Sequence, residues 1–192
     1  MTPRSPIAPH AVSAAAQPSD AEIMNRLAVG ESGALGELYD RYHQRLRRFV
    51  SRATSDADDV DDLVHITFLA AAASAARYDG RACARPWLIG IAVQHLRRRH
   101  QTRGRLFAAL KAFASAGRAA IDPGPAMAAR GDVERALALI SAPKRIALLM
   151  AEVEEMTCPE IAAALHIPVG TVWTRLHAAR RELRRALEGE AP

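Results

Sequence analysis

One stretch leaves this chain few ways to fold: Thr157-Cys158-Pro159-Glu160-Ile161-Ala162-Ala163-Ala164-Leu165-His166-Ile167-Pro168-Val169-Gly170-Thr171-Val172. Thr157 and Glu160 have the spacing of a capping box, in which each side chain satisfies the other's free backbone N–H at a helix start. Ile161 and Leu165 then fill a seam, and Ala162 is small where two helices must cross closely. Pro168 drives Ile167 out of the helical region and forces a turn. Thr171 and Val172 restart a helix whose buried stripe is Val172, Leu176, Ala179, Leu183 and Leu187. Start, small residue, turn and restart in that order read as a helix-turn-helix, with its second helix free to enter a major groove. Its exposed positions are Trp173, Thr174, His177, Arg180, Arg181, Arg184 and Arg185, suited to base edges and phosphates.

The rest of the chain repeats the helical period. Residues 1–19 hold four prolines and little periodicity, and are expected to be a disordered tail. Asp20 is the expected N-cap of a short helix through Ile23 and Leu27. Leu35, Leu38, Tyr42, Leu46 and Phe49 stripe a second helix, backed by Arg41, Arg45, Arg47, Arg48 and Arg52. A third is expected after Ser55, with Asp56, Asp58 and Asp59 in its first turn facing the positive helix end. Val60, Leu63, Val64, Phe68 and Ala71 form its buried side. Pro86-Trp87 opens a fourth helix that carries Leu88, Ile91, Ala92, His95 and Leu96 and ends at Arg97-Arg98-Arg99-His100. Residues 20–101 thus read as one helical unit. Residues 102–131, with Asp122-Pro123-Gly124-Pro125, read as a flexible linker, although Leu106 to Phe113 could prolong a helix. Residues 132–188 form a second helical unit. The expected fold is all-α: two small domains, the second containing the helix-turn-helix.

Composition narrows the function classes. Aromatic residues are only 5% of the chain, so the core rests on Leu, Ile, Val and Ala, which favours helices over strands. No apolar run approaches the ~20 residues of a membrane span, so no membrane insertion is expected and the cytoplasm is the expected location. Cys83 and Cys158 give neither a disulfide framework nor metal-ligand spacing. Lysine and arginine number 26 against 21 acids, and all but Lys111 and Lys144 are arginine. Arginine's planar fork suits phosphate and bases, although GC-rich coding would also enrich it.

Two further groupings carry possible chemistry. Asp56, Asp58, Asp59, Asp61 and Asp62 invite a metal-dependent hydrolase reading. They crowd one helix start rather than converge from several elements, so dipole compensation and partner binding are preferred. No phosphate loop, catalytic triad or zinc pattern accompanies them. No metal and no cofactor are expected. Tyr78, Arg81, Arg85 and Trp87, followed by His95 and Arg97–Arg99, interleave aromatics with arginine as single-stranded nucleic-acid binders do. Tyr78 and Trp87 could equally be core.

Taken together, four stretches resemble the extracytoplasmic-function sigma factors, the small bacterial RNA polymerase specificity subunits. Leu38-Tyr39-Asp40-Arg41-Tyr42, Asp61-Asp62-Leu63-Val64-His65-Ile66-Thr67-Phe68-Leu69 and Arg85-Pro86-Trp87-Leu88-Ile89-Gly90-Ile91-Ala92 look like that family's promoter-melting domain. Ile167 to Arg181 is similar to its minus-thirty-five reader. The resemblance covers about residues 21–188 and implies a non-enzymatic role, with core RNA polymerase and promoter DNA as partners and room for an anti-sigma factor.

The resemblance further implies site residues. Asp59, Asp62, Leu63, His65 and Phe68 would bind core polymerase. Tyr78, Arg85, Trp87, Gln94, His95 and Arg98 would capture and open the minus-ten element. Thr171, Trp173, Thr174, Arg175, His177, Arg180, Arg181 and Arg184 would meet the minus-thirty-five element. The chain departs from the family pattern at His65 and Ile66 (usually Gln and an acid), Ala72 (usually aromatic), Gln94 (often Asn) and Trp173 (commonly basic). A regulator or repressor sharing only the helix-turn-helix is the alternative, against which residues 20–101 speak, since they hold no receiver or ligand-pocket pattern.

Overall fold

A computed structural model describes residues 17–54, 56, 58–80, 83–114 and 131–188, with the backbone alone for 105–114. The expected tail up to residue 16, Arg81, and residues 115–130 of the expected linker lie outside the described residues. Eight α-helices and one 3-10 turn make up the described fold: α1 (Asp20–Ala28), α2 (Ser32–Ala53), α3 (Val60–Ser74), the 3-10 turn (Ala75–Arg77), α4 (Arg85–Ala114), α5 (Asp132–Leu139), α6 (Ala142–Glu152), α7 (Cys158–Leu165) and α8 (Val169–Glu188).

The first four helices close on a core of Ile23, Met24, Leu38, Phe49, Val50, Leu63, Val64, Phe68, Leu88, Ile89 and Val93. Phe49 is wholly buried, and burial of a side chain of that size stabilises the fold by about 2–3 kcal/mol. The second unit packs α5, α6 and α7 around α8 through Leu137, Ile146, Leu149, Met150, Ile161, Leu165, Val172 and Leu176. The two cores join into one apolar cluster where α7 lies on α4 and α6 lies on α2.

Several local expectations change. Ser19, not Asp20, caps α1: its hydroxyl accepts from Glu22 N–H, and the Glu22 carboxylate accepts from Ser19 N–H. Asp20 is buried instead, accepting from Arg41, Tyr42 and the Ala84 N–H. The third helix begins at Val60, after Asp56, Asp58 and Asp59 rather than through them. Asp59 is buried in an ion pair with Arg99, so its charge serves the α3–α4 contact. The fourth helix does not stop at His100 but runs to Ala114, well into the expected linker. The run Arg97 to His100 holds no proline and no left-handed residue, so nothing in it forces the helix to stop. In the helix-turn-helix the reversal sits at His166, which is left-handed (φ 54°, ψ 49°), and α8 restarts at Val169. The Pro168 carbonyl accepts from Thr171 and Val172 N–H, which places the restart two residues earlier than the sequence implies.

Candidate nucleic-acid and polymerase interfaces

The first surface lies on α4. Residues 87, 91, 94, 95 and 98 recur at helical spacing and line one groove of about 470 Å³, with Ser74, Arg77 and Asp79 on one wall. Trp87 is half-buried, held by the edge of Tyr78 with ring centroids 5.4 Å apart. Gln94 and Arg98 are exposed. Burial first, then the neighbouring Arg98 charge, holds His95 below the ordinary imidazole range, so its ring is neutral at pH 7. The groove therefore offers an indole face, an amide, a neutral imidazole and a guanidinium, which together can stack a base, bond its edge and hold a phosphate. Arg85 does not join them: its guanidinium turns toward Glu154, with Nε 3.9 Å from the carboxylate. Tyr78 buttresses Trp87 rather than facing the groove.

Asp20 organises the start of that helix. Its carboxylate takes the Ala84 N–H at 2.7 Å and Arg41 Nη1 at 2.5 Å, as well as the Tyr42 hydroxyl. Burial pushes this carboxyl up, but the bonds from Tyr42, Ala84 and Arg41 together outweigh it and leave it below the usual range. Burial and the Asp20 hydrogen bond push the Tyr42 phenol far up, so it stays protonated and donates. Sequence reasoning missed this role, because an Asp after Ser19 looks like a cap.

The second surface is α8. Val172, Leu176 and Ala179 are buried, while Trp173, Thr174, His177, Arg180, Arg181 and Arg184 are exposed and share the outward side. Thr174 spends its hydroxyl on the Gly170 carbonyl at 2.9 Å, which leaves its methyl as the outward feature. Trp173 is 65% exposed. Arg180 is bonded through Nε and Nη2 to Glu152, and Lys144 pairs with Glu182 at 2.6 Å, so α8 is braced on α6 from both sides. Thr171 and Arg175 are half-buried, and Arg175 lines the cleft between the two units rather than the outward side.

The third surface is α3. Leu63 and Phe68 are buried, and Phe68 packs on Tyr39 with centroids 4.9 Å apart. Exposed along the helix are Asp62, His65, Ile66 and Leu69, the last 59% exposed. Ile66 and Leu69 extend the surface beyond the residues singled out from the sequence. Their spacing from Asp62 was the available signal. Among the acids, Asp56 pairs with Arg103, Asp59 with Arg99, and Asp61 with Arg47. Carboxylates answered by guanidinium groups from α2 and α4 form a structural network, not a converging cation site.

Comparison with known proteins adds the deciding observation. Residues 38–106 match the family model for sigma-70 region 2, and residues 130–183 match that for sigma-70 region 4. The RNA polymerase sigma factor NccH of Alcaligenes xylosoxydans xylosoxydans is 30% identical over 177 residues, covering 88% of this chain and 95% of that protein. The chain belongs to the extracytoplasmic-function sigma factors. A second relative, the ECF RNA polymerase sigma factor SigC of Mycobacterium tuberculosis, is 31% identical over 182 residues, covering 86% of this chain and 91% of that one. The structure of CnrH in complex with the cytosolic domain of CnrY superposes with a TM-score of 0.64 at 25% identity, covering 90% of this sigma factor and 99% of CnrH. A sigma factor directs core RNA polymerase to promoters and begins DNA-templated transcription, and the two-unit helical fold with its C-terminal helix-turn-helix is the fold of that role. The alternative of a regulator acting without replacing sigma is not favoured, because the region 2 match occupies the part of the chain such a regulator would give to a sensor. Among the described residues no helix is long and apolar enough to cross a membrane.

Proposed function

We propose a division of labour between the two units of this sigma factor. Residues 20–101 bind core polymerase and open the minus-ten element, 132–188 read the minus-thirty-five element, and the segment between them is the linker. On α3, Asp62, His65, Ile66 and Leu69 form the docking ridge, with Leu63 and Phe68 holding it from beneath. The α4 groove takes non-template bases, with Trp87 and Gln94 as base contacts, His95 beside them and Arg98 on the backbone. On α8, Trp173, Thr174 and His177 meet bases while Arg181 and Arg184 hold phosphates.

The observation that carries this reading is the α4 groove, where stacking, amide and cationic groups line one channel. Such a set, with an indole face lining a channel beside an amide and a guanidinium, suits an unpaired strand. The protein works in the cytoplasm, where its polymerase is. The sigma factor RpoE from Bartonella quintana was solved in complex with the anti-sigma factor NepR, and an anti-sigma factor is a fitting further partner here. Run-off transcription with core polymerase over a promoter library tests the whole. Transcripts that share two spaced elements are expected; DNA binding without polymerase, and no transcripts with it, would overturn the reading.

A further inference from the structure

We propose that the cleft between the two units binds a small aliphatic phosphate, with Arg97 and Arg175 holding the phosphate group. Arg175 is the clue. The family resemblance sets it against the minus-thirty-five element, yet it is half-buried and lines this cleft. Among the described residues no carboxylate pairs with it. None pairs with Arg97 either, whose Nη1 donates to the Leu165 carbonyl at 2.9 Å and whose other donors remain open. The remaining ion pairs of the cleft are closed: Asp59 meets Arg99 and Arg103, and Asp56 meets Arg103. Two guanidinium groups are thus left without a counter-charge in a partly desolvated place, where an anion relieves the cost of burying them.

Size and lining narrow the anion to a class. The cleft has a volume of about 650 Å³, inside the span of roughly 300–1,000 Å³ that small-molecule sites occupy. Val93 and Leu96 of α4 form one apolar wall, with Ile140, Ile146 and Leu165 opposite them. Leu139, 65% exposed, adds an apolar side chain that nothing in the fold covers. No Phe, Tyr or Trp is among the lining residues, so a nucleobase finds no such ring to stack on and an aliphatic body fits better. Two planar guanidinium forks match the oxygens and the double negative charge of a phosphate monoester.

Such a ligand would also act on the arrangement of the chain, because Arg97 belongs to α4 and Arg175 to α8. The same two units touch where Gly90 of α4 faces Ala164 of α7: a Cβ built on Gly90 would stand 3.5 Å from the Ala164 Cβ. A molecule bridging the two arginines binds only while the units stay packed, and it stabilises that packing by mass action. A metabolite of this class would therefore bear on the sigma factor directly, without a second protein.

The test is calorimetric titration of the full-length chain with octyl phosphate below its micellar concentration. Inorganic phosphate and octyl glucoside serve as the head and the tail alone. Saturable one-to-one binding, at least about tenfold tighter than either, is expected. Arg175→Gln and Arg97→Gln, each checked for an unchanged helical signal by circular dichroism, should each weaken it about tenfold. Arg48→Gln, at an exposed position of α2 outside the cleft, should bind as the wild type does. The probe should raise the thermal midpoint of the wild type and leave that of Arg175→Gln where it was. No saturable binding, binding no tighter than the head or the tail alone, or full affinity in either folded cleft variant would overturn the proposal. An equal loss in Arg48→Gln would overturn it too, since the anion would then be drawn only by the general basic charge. Should one cleft variant fail to fold, the other decides.

Discussion

Asp20→Ala probes how the start of α4 is held in place. The carboxylate is 5% exposed and satisfies three donors: Arg41, the Tyr42 hydroxyl and the backbone N–H of Ala84. Truncation leaves the amide without an acceptor and the phenol with only the weak Cys83 sulfur at 3.6 Å, at about 1–3 kcal/mol each. Arg41 keeps only the Pro18 carbonyl and is exposed enough to recover water, so it adds less. The expected loss is about 3–5 kcal/mol of unfolding free energy, read by urea denaturation at pH 7. Asp20→Asn keeps the shape but exchanges a charged acceptor for a neutral one, and about 1.5–3 kcal/mol should be lost.

The pH dependence gives the sharper check. The folded carboxyl titrates below its unfolded value of about 3.9, so its contribution is complete above that value and disappears as pH falls through the lower, folded one. The stability gap between wild type and Asp20→Asn should therefore hold level from pH 7 to pH 5 and narrow below about pH 4. A gap that does not narrow at all between about pH 5 and pH 3, or a loss under about 1 kcal/mol for Asp20→Ala, would refute the reasoning.

Asp62→Arg lies on the exposed ridge of α3, where a reversed charge in a first helical turn costs the fold no more than about 1 kcal/mol. Its affinity for core polymerase should fall sharply, and wild-type affinity in a folded variant would remove α3 from the docking surface. Gln94→Ala should slow open-complex formation, followed by permanganate reactivity of unpaired thymines, more than it weakens the closed complex. Equal losses in both would point to a structural role. His177→Ala should cost about 1–3 kcal/mol at a single minus-thirty-five base, whereas Arg184→Ala should weaken every sequence and lower the salt slope by about one. The reverse pattern would exchange the two roles. Trp173 presents an apolar face that fits a thymine methyl, so replacing thymines by uracil along the element should weaken the wild type at one position and leave Trp173→Ala indifferent.

What the sequence reveals here follows the range of the forces involved. The helix-turn-helix was legible because Thr157, Glu160 and Pro168 act on backbone groups within four residues of themselves. The buried stripes of α2, α3 and α8 were legible for the same reason: period reports the face. Ser19 and Asp20 were not distinguishable, since both are good caps and only Ala84, across the fold, decides which one turns inward. The end of α4 was misread because a run of Arg and His resembles a surface terminus, although nothing in it breaks a helix. Glu154 looked like any acid in a turn, and its partner Arg45 is 109 residues away. On the candidate surfaces, residue types were readable, but which arginines are already engaged was not. Arg180 is tied to Glu152, Arg85 faces Glu154, and Arg175 lines the inter-unit cleft.

The absence of a side chain at Gly90 has a consequence for how the two units are spaced. Position 90 touches neither the docking ridge nor the outward side of α8, and one methyl there would rest in ordinary contact with Ala164, while anything larger would wedge the units apart. A larger residue there would loosen the seat of α7 on α4 and narrow the α4 groove at once, while the α3 ridge and the outward side of α8 stay as they are. One position thus couples the spacing of the two units to the width of the channel between them.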